Sequence, residues 1–203
     1  MSTSQSILGV IFDLDGTLVD SHLDFHAMRH EIGLSFGTPL LEAVAALSGD
    51  EAARAWAILE RHERQGASIA TVIPGVRELL DELHRRDVRV AIVTRNGREF
   101  ARATLARLDL PIDLVMTRDD APPKPSPDAI LQILQTWQLP ADRVAMIGDY
   151  RFDLEAGRAA GAKTVLYAAD CTGEELIEWQ PLADFVAPSF VDAGKFLAWL
   201  EAH

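Results

Sequence analysis

The chain has 203 residues, of which 48% are hydrophobic and 25% charged, a composition that is ordinary for a folded protein and excludes a disordered or fibrous one. Its 31 acidic residues outnumber 19 lysines and arginines, and the net charge of −12 argues against a nucleic-acid partner. The sequence contains no run of about 18 apolar residues, so no membrane span is predicted. Its single cysteine, Cys171, cannot form an internal disulfide. We therefore expect a cytoplasmic protein.

The first predicted element is a strand at residues 7–12, a continuous apolar run that ends at two acids, Asp13 and Asp15. The next segment, residues 21–72, contains no strand-like run and has helical periodicity instead. Helices are expected there at residues 22–32, 39–47 and 50–65. An insertion of this length after the first strand predicts a small helical lobe over the carboxyl end of the sheet, where open α/β sheets bind their ligands.

Strands and helices alternate after this insertion. Val76, Leu79, Leu80 and Leu83 have the i, i+3, i+4, i+7 spacing of one apolar helix face, which predicts a helix at 75–86. In chain order, the following elements are expected as strands at 88–93, 112–116, 143–148 and 163–167, and as helices at 97–108, 127–137 and 153–161. The tail from residue 172 predicts irregular chain with an edge strand at 184–187 and a closing helix at 190–201.

This order of elements predicts the fold class. Strands that alternate with helices indicate an α/β fold with a parallel sheet and right-handed crossovers. We therefore expect a core domain formed by residues 1–20 and 73–203, and a helical cap domain formed by residues 21–72.

Reactive side chains follow several of the predicted strands, namely Asp13, Asp15, Thr94, Lys124, Asp149 and Asp153. Because the carboxyl ends of parallel strands share one edge of a sheet, we expect these residues to converge. Carboxylates held together raise one another's pKa values unless a cation neutralises them, and a set of oxygen ligands suits Mg²⁺. A lysine and a threonine at the same edge can hold phosphoryl oxygens, so the residues predict phosphoryl transfer.

Four motifs in this order resemble those of the haloacid dehalogenase superfamily. They are Asp-Leu-Asp-Gly-Thr at 13–17, Val-Thr-Arg at 93–95, Lys-Pro at 124–125, and Gly-Asp at 148–149 followed by Asp153. The helical insertion, with Pro-Gly-Val-Arg-Glu-Leu-Leu after it, is similar to the branch that contains phosphoglycolate phosphatase and β-phosphoglucomutase. The resemblance covers essentially the whole chain and implies a Rossmann-like parallel sheet with a small all-helical cap.

The resemblance implies a role for each acid. Asp13 would be the nucleophile that forms an aspartyl-phosphate, and Asp15 would protonate the leaving oxygen and then deprotonate the attacking water. Mg²⁺ would bind to Asp13, Asp149 and the backbone carbonyl of Asp15. Asp153 would orient metal-bound water or Lys124 from outside the ligand set.

The other motif residues would bind phosphate or read the substrate. The phosphate-binding candidates are Gly16, Thr17, Thr94, Arg95 and Lys124, and the candidates for contact with the leaving group are His26, Arg29, His30 and Tyr150. Arg95 and Tyr150 depart from the family pattern, which more often has small polar residues at these positions. His22, His26 and His30 are spaced by four residues along the first predicted cap helix, but a zinc site is disfavoured because no cysteine lies nearby.

The predicted activity is Mg²⁺-dependent hydrolysis of a small phosphate monoester. A cap over the site favours a small phosphorylated metabolite, and phosphoglycolate, a sugar phosphate and a nucleotide all stay open. Asp15 argues against a carbon–halogen substrate, because a halide leaves without a proton. Two alternatives remain: a phosphomutase of the β-phosphoglucomutase type, and a phosphate-binding module without turnover. The oligomeric state is not predicted.

Overall fold

The computed structural model describes residues 6–203 and contains one six-stranded sheet and one two-stranded sheet. The strands are β1 (Gly9–Phe12), β2 (Val19–Asp20), β3 (Thr71–Val72), β4 (Arg89–Val93), β5 (Val115–Met116), β6 (Val144–Gly148), β7 (Lys163–Tyr167) and β8 (Phe185–Ala187). The large sheet has the order β5-β4-β1-β6-β7-β8, and every neighbouring pair in it is parallel. The predicted α/β fold class is confirmed.

The helices lie between the strands and at the end of the chain. They are α1 (Phe25–Ile32), α2 (Leu40–Ala45), α3 (Gly49–Ile69), α4 (Val76–Arg85), α5 (Arg98–Leu108), α6 (Asp128–Trp137), α7 (Arg151–Ala159), α8 (Gly173–Trp179) and α9 (Gly194–Ala202). Each predicted helix has a counterpart among them, with bounds that differ by a few residues.

Strand β1 contributes to the core on both faces of the sheet, because successive side chains of a strand point to opposite faces. Val10 and Phe12 belong to a buried cluster that includes residues of α4, α5 and α9. Ile11 points to the other face and joins a cluster with residues of α6 and α7. The sheet is therefore buried on both sides by helices, which explains why its strands read as continuous apolar runs.

The register of the central strands brings three sets of motif residues to one edge. Phe12 pairs with Ile92 of β4 and with Ile147 of β6, so these three strands end side by side. The backbone N–H of Asp13 still donates to the Ile147 carbonyl at 2.8 Å, and the chain then leaves the sheet. The residues that follow β1, β4 and β6 consequently lie at the same edge.

The three helices α1, α2 and α3 form a separate cluster of buried side chains, which contains Met28, Leu40, Leu41, Val44, Ala55 and Leu59. Residues 21–72, called the cap below, stay a proposed domain, and this separate cluster supports the proposal. The guanidinium of Arg107 on α5 donates to the carbonyls of Ala67 and Ala70 at the carboxyl end of α3. It thus binds carbonyls that have no partner within their own helix.

Two local predictions in this region were wrong. Residues 21–72 were expected to lack a strand, but β3 pairs antiparallel with β2 through Val19–Val72 and Asp20–Thr71. Two-residue strands are too short to have a periodicity. Helix α1 also begins later than expected, because the Asp24 carboxylate accepts from the N–H groups of residues 26 and 27. His22 therefore lies outside the helix and pairs with Asp20, so the three histidines do not share a helix face.

Helix α8 corrects the prediction of an irregular tail. Thr172 and Glu175 form a capping box at its start, in which the Thr172 hydroxyl accepts from the Glu175 N–H and the Glu175 carboxylate accepts from the Thr172 N–H. The helix places Trp179 in a small cluster with Leu154 and Leu166 of the core. Among residues 6–203, no helix combines the length and the hydropathy needed to cross a bilayer.

We expect Leu83→Ala to lower the free energy of unfolding by about 3 kcal/mol, because this side chain is fully buried on the sheet side of α4. Leu131→Ala is the matched control, since Leu131 of α6 is 44% exposed and its truncation should change stability by less than about 0.5 kcal/mol. Urea unfolding of both variants measures the difference. Equal losses would contradict the assignment of Leu83 to the core.

Candidate active site

Three carboxylates and one lysine form the centre of the site. Asp13, Asp149 and Asp153 each place one oxygen so that all three oxygens lie within 4.8 Å of one another. The ammonium of Lys124 lies 2.7 Å from Oδ1 of Asp13 and 2.6 Å from Oδ1 of Asp153, and this side chain is only 1% exposed. The loop after β5 therefore delivers its lysine into the acids that follow β1 and β6.

The electrostatics of this group follow from burial and from charge. Burial, together with the charges of Asp13 and Asp153, raises the pKa of Asp149 well above its usual value. Burial likewise raises the pKa of Asp153 to about 6, although Lys124 opposes the shift. Burial alone would lower the pKa of Lys124, but the two carboxylates raise it, so the ammonium stays charged.

The cluster fits a divalent cation. If all three carboxylates were ionised, the single ammonium would leave two uncompensated negative charges. Ionisation of the buried Asp149 is therefore unfavourable unless a further positive charge is present. All donors are carboxylate oxygens, the ligand type that Mg²⁺ prefers. The structure brings together the predicted ligands Asp13 and Asp149, and it adds Asp153, which was expected outside the ligand set.

The turn after β1 is shaped around Asp149. Gly16 has φ = +81°, and a Cβ there would lie 2.3 Å from Oδ2 of Asp149, so only glycine fits. The buried hydroxyl of Thr17 donates to Oδ1 of the same carboxylate at 2.9 Å. Both residues were predicted to bind phosphate; in this structure they fix a carboxylate of the acid cluster, and phosphate binding by them stays a prediction.

Asp15 has different surroundings from Asp13. Its Oδ2 accepts a hydrogen bond of 2.6 Å from the side-chain amide of Asn96, and its carboxyl does not belong to the three-acid cluster. Burial raises the pKa of Asp15 to about 7, and the charges of Asp13 and Glu63 add to the shift. Asp15 can therefore exchange a proton near neutral pH. Its predicted ligation through the backbone carbonyl stays a prediction.

Asn96 is a site residue that the sequence reasoning missed. It lies two residues after Thr94, whose buried hydroxyl accepts the Asn96 backbone N–H at 3.1 Å. The feature of the sequence that could have identified Asn96 is its position in the loop after β4, directly after the Val-Thr-Arg motif. The loop thus provides a hydroxyl and an amide side by side at the sheet edge.

Arg95 connects this loop to the cap. One of its terminal nitrogens, Nη2, lies 2.9 Å from both carboxylate oxygens of Glu42 on α2. The other, Nη1, donates to the backbone carbonyl of Lys124, and the guanidinium lies over the ring of Phe152 at 4.9 Å. Arg95 was predicted to bind phosphate, but its guanidinium contacts Glu42 here; phosphate binding stays untested.

A second ion pair between cap and core is buried. Glu63 of α3 and Arg118, which follows β5, bind through both carboxylate oxygens, and their side chains are 6% and 9% exposed. Glu63 accepts the Gly97 N–H at 3.4 Å, and Arg118 donates to the Arg95 carbonyl at 3.1 Å. The pair therefore holds the backbone on both sides of Asn96, which in turn binds the general-acid candidate.

The remaining predicted residues lie at the rim or within the cap. Tyr150 follows Asp149, is half-exposed, and packs edge-on against Phe152 and Trp179. The Arg29 guanidinium donates to backbone carbonyls of the cap, and His26 stacks on the exposed ring of Phe36 at 5.0 Å. His30 is exposed on α1. Contact of these four residues with a substrate stays a prediction.

Comparisons with known proteins agree with this geometry. A family model described as haloacid dehalogenase-like hydrolase matches residues 10–167. The chain belongs to this family. A phosphoglycolate phosphatase of Pseudomonas fluorescens is 31% identical over 183 residues, which cover 77% of this chain and 67% of that protein. A pyrophosphatase of Bacillus velezensis is 27% identical over 194 residues, which cover 86% and 89%.

A solved structure agrees at the level of the whole chain. The crystal structure of a hydrolase from Pseudomonas syringae superposes with a TM-score of 0.75 and 26% identity, covering 95% of this chain and 98% of that one. The predicted membership of the haloacid dehalogenase-like hydrolases and the predicted class, a phosphohydrolase, are confirmed.

We expect Glu63→Leu and Arg118→Met each to lower the free energy of unfolding by about 3 kcal/mol, because each leaves a buried charge without its partner. The double variant should lose less free energy of unfolding than the two single variants lose together, and the difference, the coupling energy, should be about 1–3 kcal/mol. Denaturant unfolding of the four proteins gives this cycle.

The control for this cycle is the exposed pair of Arg64 and Glu99, whose atoms lie 3.7 Å apart. Arg64→Gln removes another contact between cap helix α3 and the core, in this case with α5, yet it should leave stability unchanged because an exposed pair contributes little. Additive losses at Glu63 and Arg118 would show that the buried pair does not act as a unit.

Proposed function

We propose that this haloacid dehalogenase-like hydrolase is a Mg²⁺-dependent phosphatase that acts on a small phosphate monoester through an aspartyl-phosphate on Asp13. The observation that carries the proposal is the Lys124 ammonium, held 2.7 Å from Asp13 and 2.6 Å from Asp153 in the acid cluster. A buried cation beside the nucleophile offers positive charge where phosphoryl oxygens would lie.

In the first half of the proposed reaction, a carboxylate oxygen of Asp13 forms a bond to phosphorus while the ester O–P bond breaks. The proton of the Asp15 carboxyl group passes to the ester oxygen, which leaves as an alcohol. Lys124 and the Thr94 hydroxyl hold the phosphoryl oxygens. The pKa of about 7 supports this role of Asp15, since a protonated fraction is then present at neutral pH.

In the second half, the Asp15 carboxylate takes a proton from water, and the water oxygen attacks phosphorus. The bond between Asp13 and phosphorus breaks, and inorganic phosphate is released. Mg²⁺ bound by Asp13 and Asp149, with the backbone carbonyl of Asp15, would neutralise the carboxylates and the transferring group. The acid cluster and its uncompensated charge support this assignment.

The proposed substrates are small metabolites. Relatives are named phosphoglycolate phosphatase and pyrophosphatase, which makes the ester phosphoglycolate the first candidate and the anhydride pyrophosphate an alternative substrate to include in the test. The contacts of the cap with Arg95 and Arg118 at the edge of the site favour a substrate that fits beneath the cap. A cytoplasmic location stays a prediction.

The first test is phosphate release from a panel of small esters, with and without Mg²⁺, by wild type and Asp13→Asn. We expect release by wild type that needs Mg²⁺, and a loss of at least about a thousandfold in Asp13→Asn because the nucleophile is removed. Circular dichroism of the variant checks that it folds.

Two outcomes of that panel would replace the proposal. Release that is slow and requires a sugar bisphosphate, with phosphate returned to the sugar, would identify a phosphomutase. Binding of Mg²⁺ and inorganic phosphate without turnover of any ester would identify a phosphate-binding module.

A second test concerns the hydrogen bond from Asn96 to Asp15. We expect Asn96→Ala to lower kcat about tenfold more on a glycerol phosphate than on p-nitrophenyl phosphate, because a nitrophenolate needs little protonation as it leaves. Loss of stability alone would reduce both rates equally, so equal losses would contradict the role of Asn96. Asp15→Asn should show the same dependence on the leaving group, only larger.

A further inference from the structure

The ion pair between Arg95 and Glu42 places a cap carboxylate beside the proposed phosphoryl site. Nη2 of Arg95 lies 2.9 Å from each oxygen of Glu42, so one nitrogen is shared by both oxygens. The arginine directly follows Thr94, and its other terminal nitrogen binds the backbone carbonyl of Lys124. The guanidinium is therefore linked to Asp13 through Lys124, whose backbone carbonyl binds Arg95 and whose ammonium contacts Asp13.

Two contacts with the core hold this guanidinium independently of the cap. Besides the Lys124 carbonyl, the ring of Phe152 lies beneath it at 4.9 Å, and neither contact involves the cap. If Glu42 moves away, Arg95 keeps its place and offers the freed N–H groups of Nη2 to another acceptor. A preorganised arginine of this kind suits a carboxylate, which its planar donors match.

The ion pairs that Glu63 and Glu42 of the cap form with core arginines differ in burial. The side chains of Glu63 and Arg118 are 6% and 9% exposed, whereas those of Glu42 and Arg95 are 44% and 23% exposed. An ion pair as exposed as that of Glu42 and Arg95 contributes little stability, so exchange of Glu42 for another carboxylate costs little. The buried pair can keep the cap attached while this exchange takes place.

We infer that Arg95 binds a carboxylate on the leaving group of the substrate, and that Glu42 is an internal carboxylate that occupies this position until the substrate arrives. The inference rests on the proposed function, because it concerns the same ester. A leaving group with a carboxylate would be repelled by the negative charges of Asp13 and Asp149, and Arg95 supplies a positive charge that compensates this repulsion. Arg95 thus selects the substrate and does not hold the transferring phosphoryl group.

The test compares 2-phosphoglycolate with 2-hydroxyethyl phosphate, an ester of the same chain length in which a neutral hydroxymethyl group replaces the carboxylate. Wild type should prefer 2-phosphoglycolate, and Arg95→Gln should lower the ratio of the two kcat/KM values by about 10- to 100-fold, as for loss of a charge-assisted hydrogen bond. Arg95→Lys should restore part of the ratio. A ratio that Arg95→Gln leaves unchanged would overturn the inference while leaving the proposed phosphatase intact.

Two variants separate recognition from attachment of the cap. Glu42→Gln should lower KM for 2-phosphoglycolate about threefold, because it removes the competing carboxylate. Arg64→Gln breaks the exposed contact to Glu99 and should leave the ratio of the esters as in wild type. If Arg64→Gln lowered the ratio as much as Arg95→Gln, general loosening of the cap would explain the effect and the inference would fail.

A binding measurement decides the inference even if no ester is hydrolysed. Calorimetry with Mg²⁺ present compares 3-phosphonopropionate with propylphosphonate, which lacks the carboxylate. Wild type should bind the first at least about tenfold more tightly, and Arg95→Gln should bind both alike. Absence of turnover together with this preference would reject the phosphatase and keep the carboxylate site; equal binding by wild type would reject the site.

Discussion

The buried ammonium of Lys124 is the interaction on which the rest of the site depends. A parallel sheet brings the carboxyl ends of β1 and β6 together and so concentrates Asp13, Asp149 and Asp153 within a few ångströms. Such a cluster is unfavourable unless positive charge enters it. Lys124 supplies one charge, and its own burial is tolerated because two carboxylates contact it. The charge that remains makes the site suited to a divalent cation.

The cap is joined to the core by contacts that also shape the loop after β4. Glu63 and Arg118 bind the backbone on both sides of Asn96, and Asn96 binds Asp15. Movement of α3 would therefore disturb the neighbour that orients the proposed general acid. In this way, attachment of the cap and protonation of the leaving group depend on the same few hydrogen bonds, whereas the Lys124 cluster rests on core elements alone.

The core strands, and the convergence of the motif acids with Lys124, could be predicted from the sequence because strands and motifs are encoded locally. A buried parallel strand is a short apolar run, and a motif is a fixed order of residue types. Asn96, Glu63 and Arg118 were missed because their roles depend on partners far along the chain, and ion pairs have no periodic pattern. Helix α8 is different: its capping box, Thr172 and Glu175, was present in the sequence and could have predicted it.

The two acids of the first motif have different neighbours, which supports the different roles proposed for them. Asp13 and Asp15 are the same residue type, two positions apart, and both are half-buried. The proposed nucleophile, Asp13, contacts the Lys124 ammonium at 2.7 Å. Burial and the negative charges of Asp13 and Glu63 raise the pKa of Asp15 to about 7, which favours the protonated form that the proposed general acid needs, although the Asn96 amide opposes the shift. Since the loops after β4 and β5 and a cap helix supply these neighbours, the proposed division of roles between Asp13 and Asp15 depends on the tertiary fold.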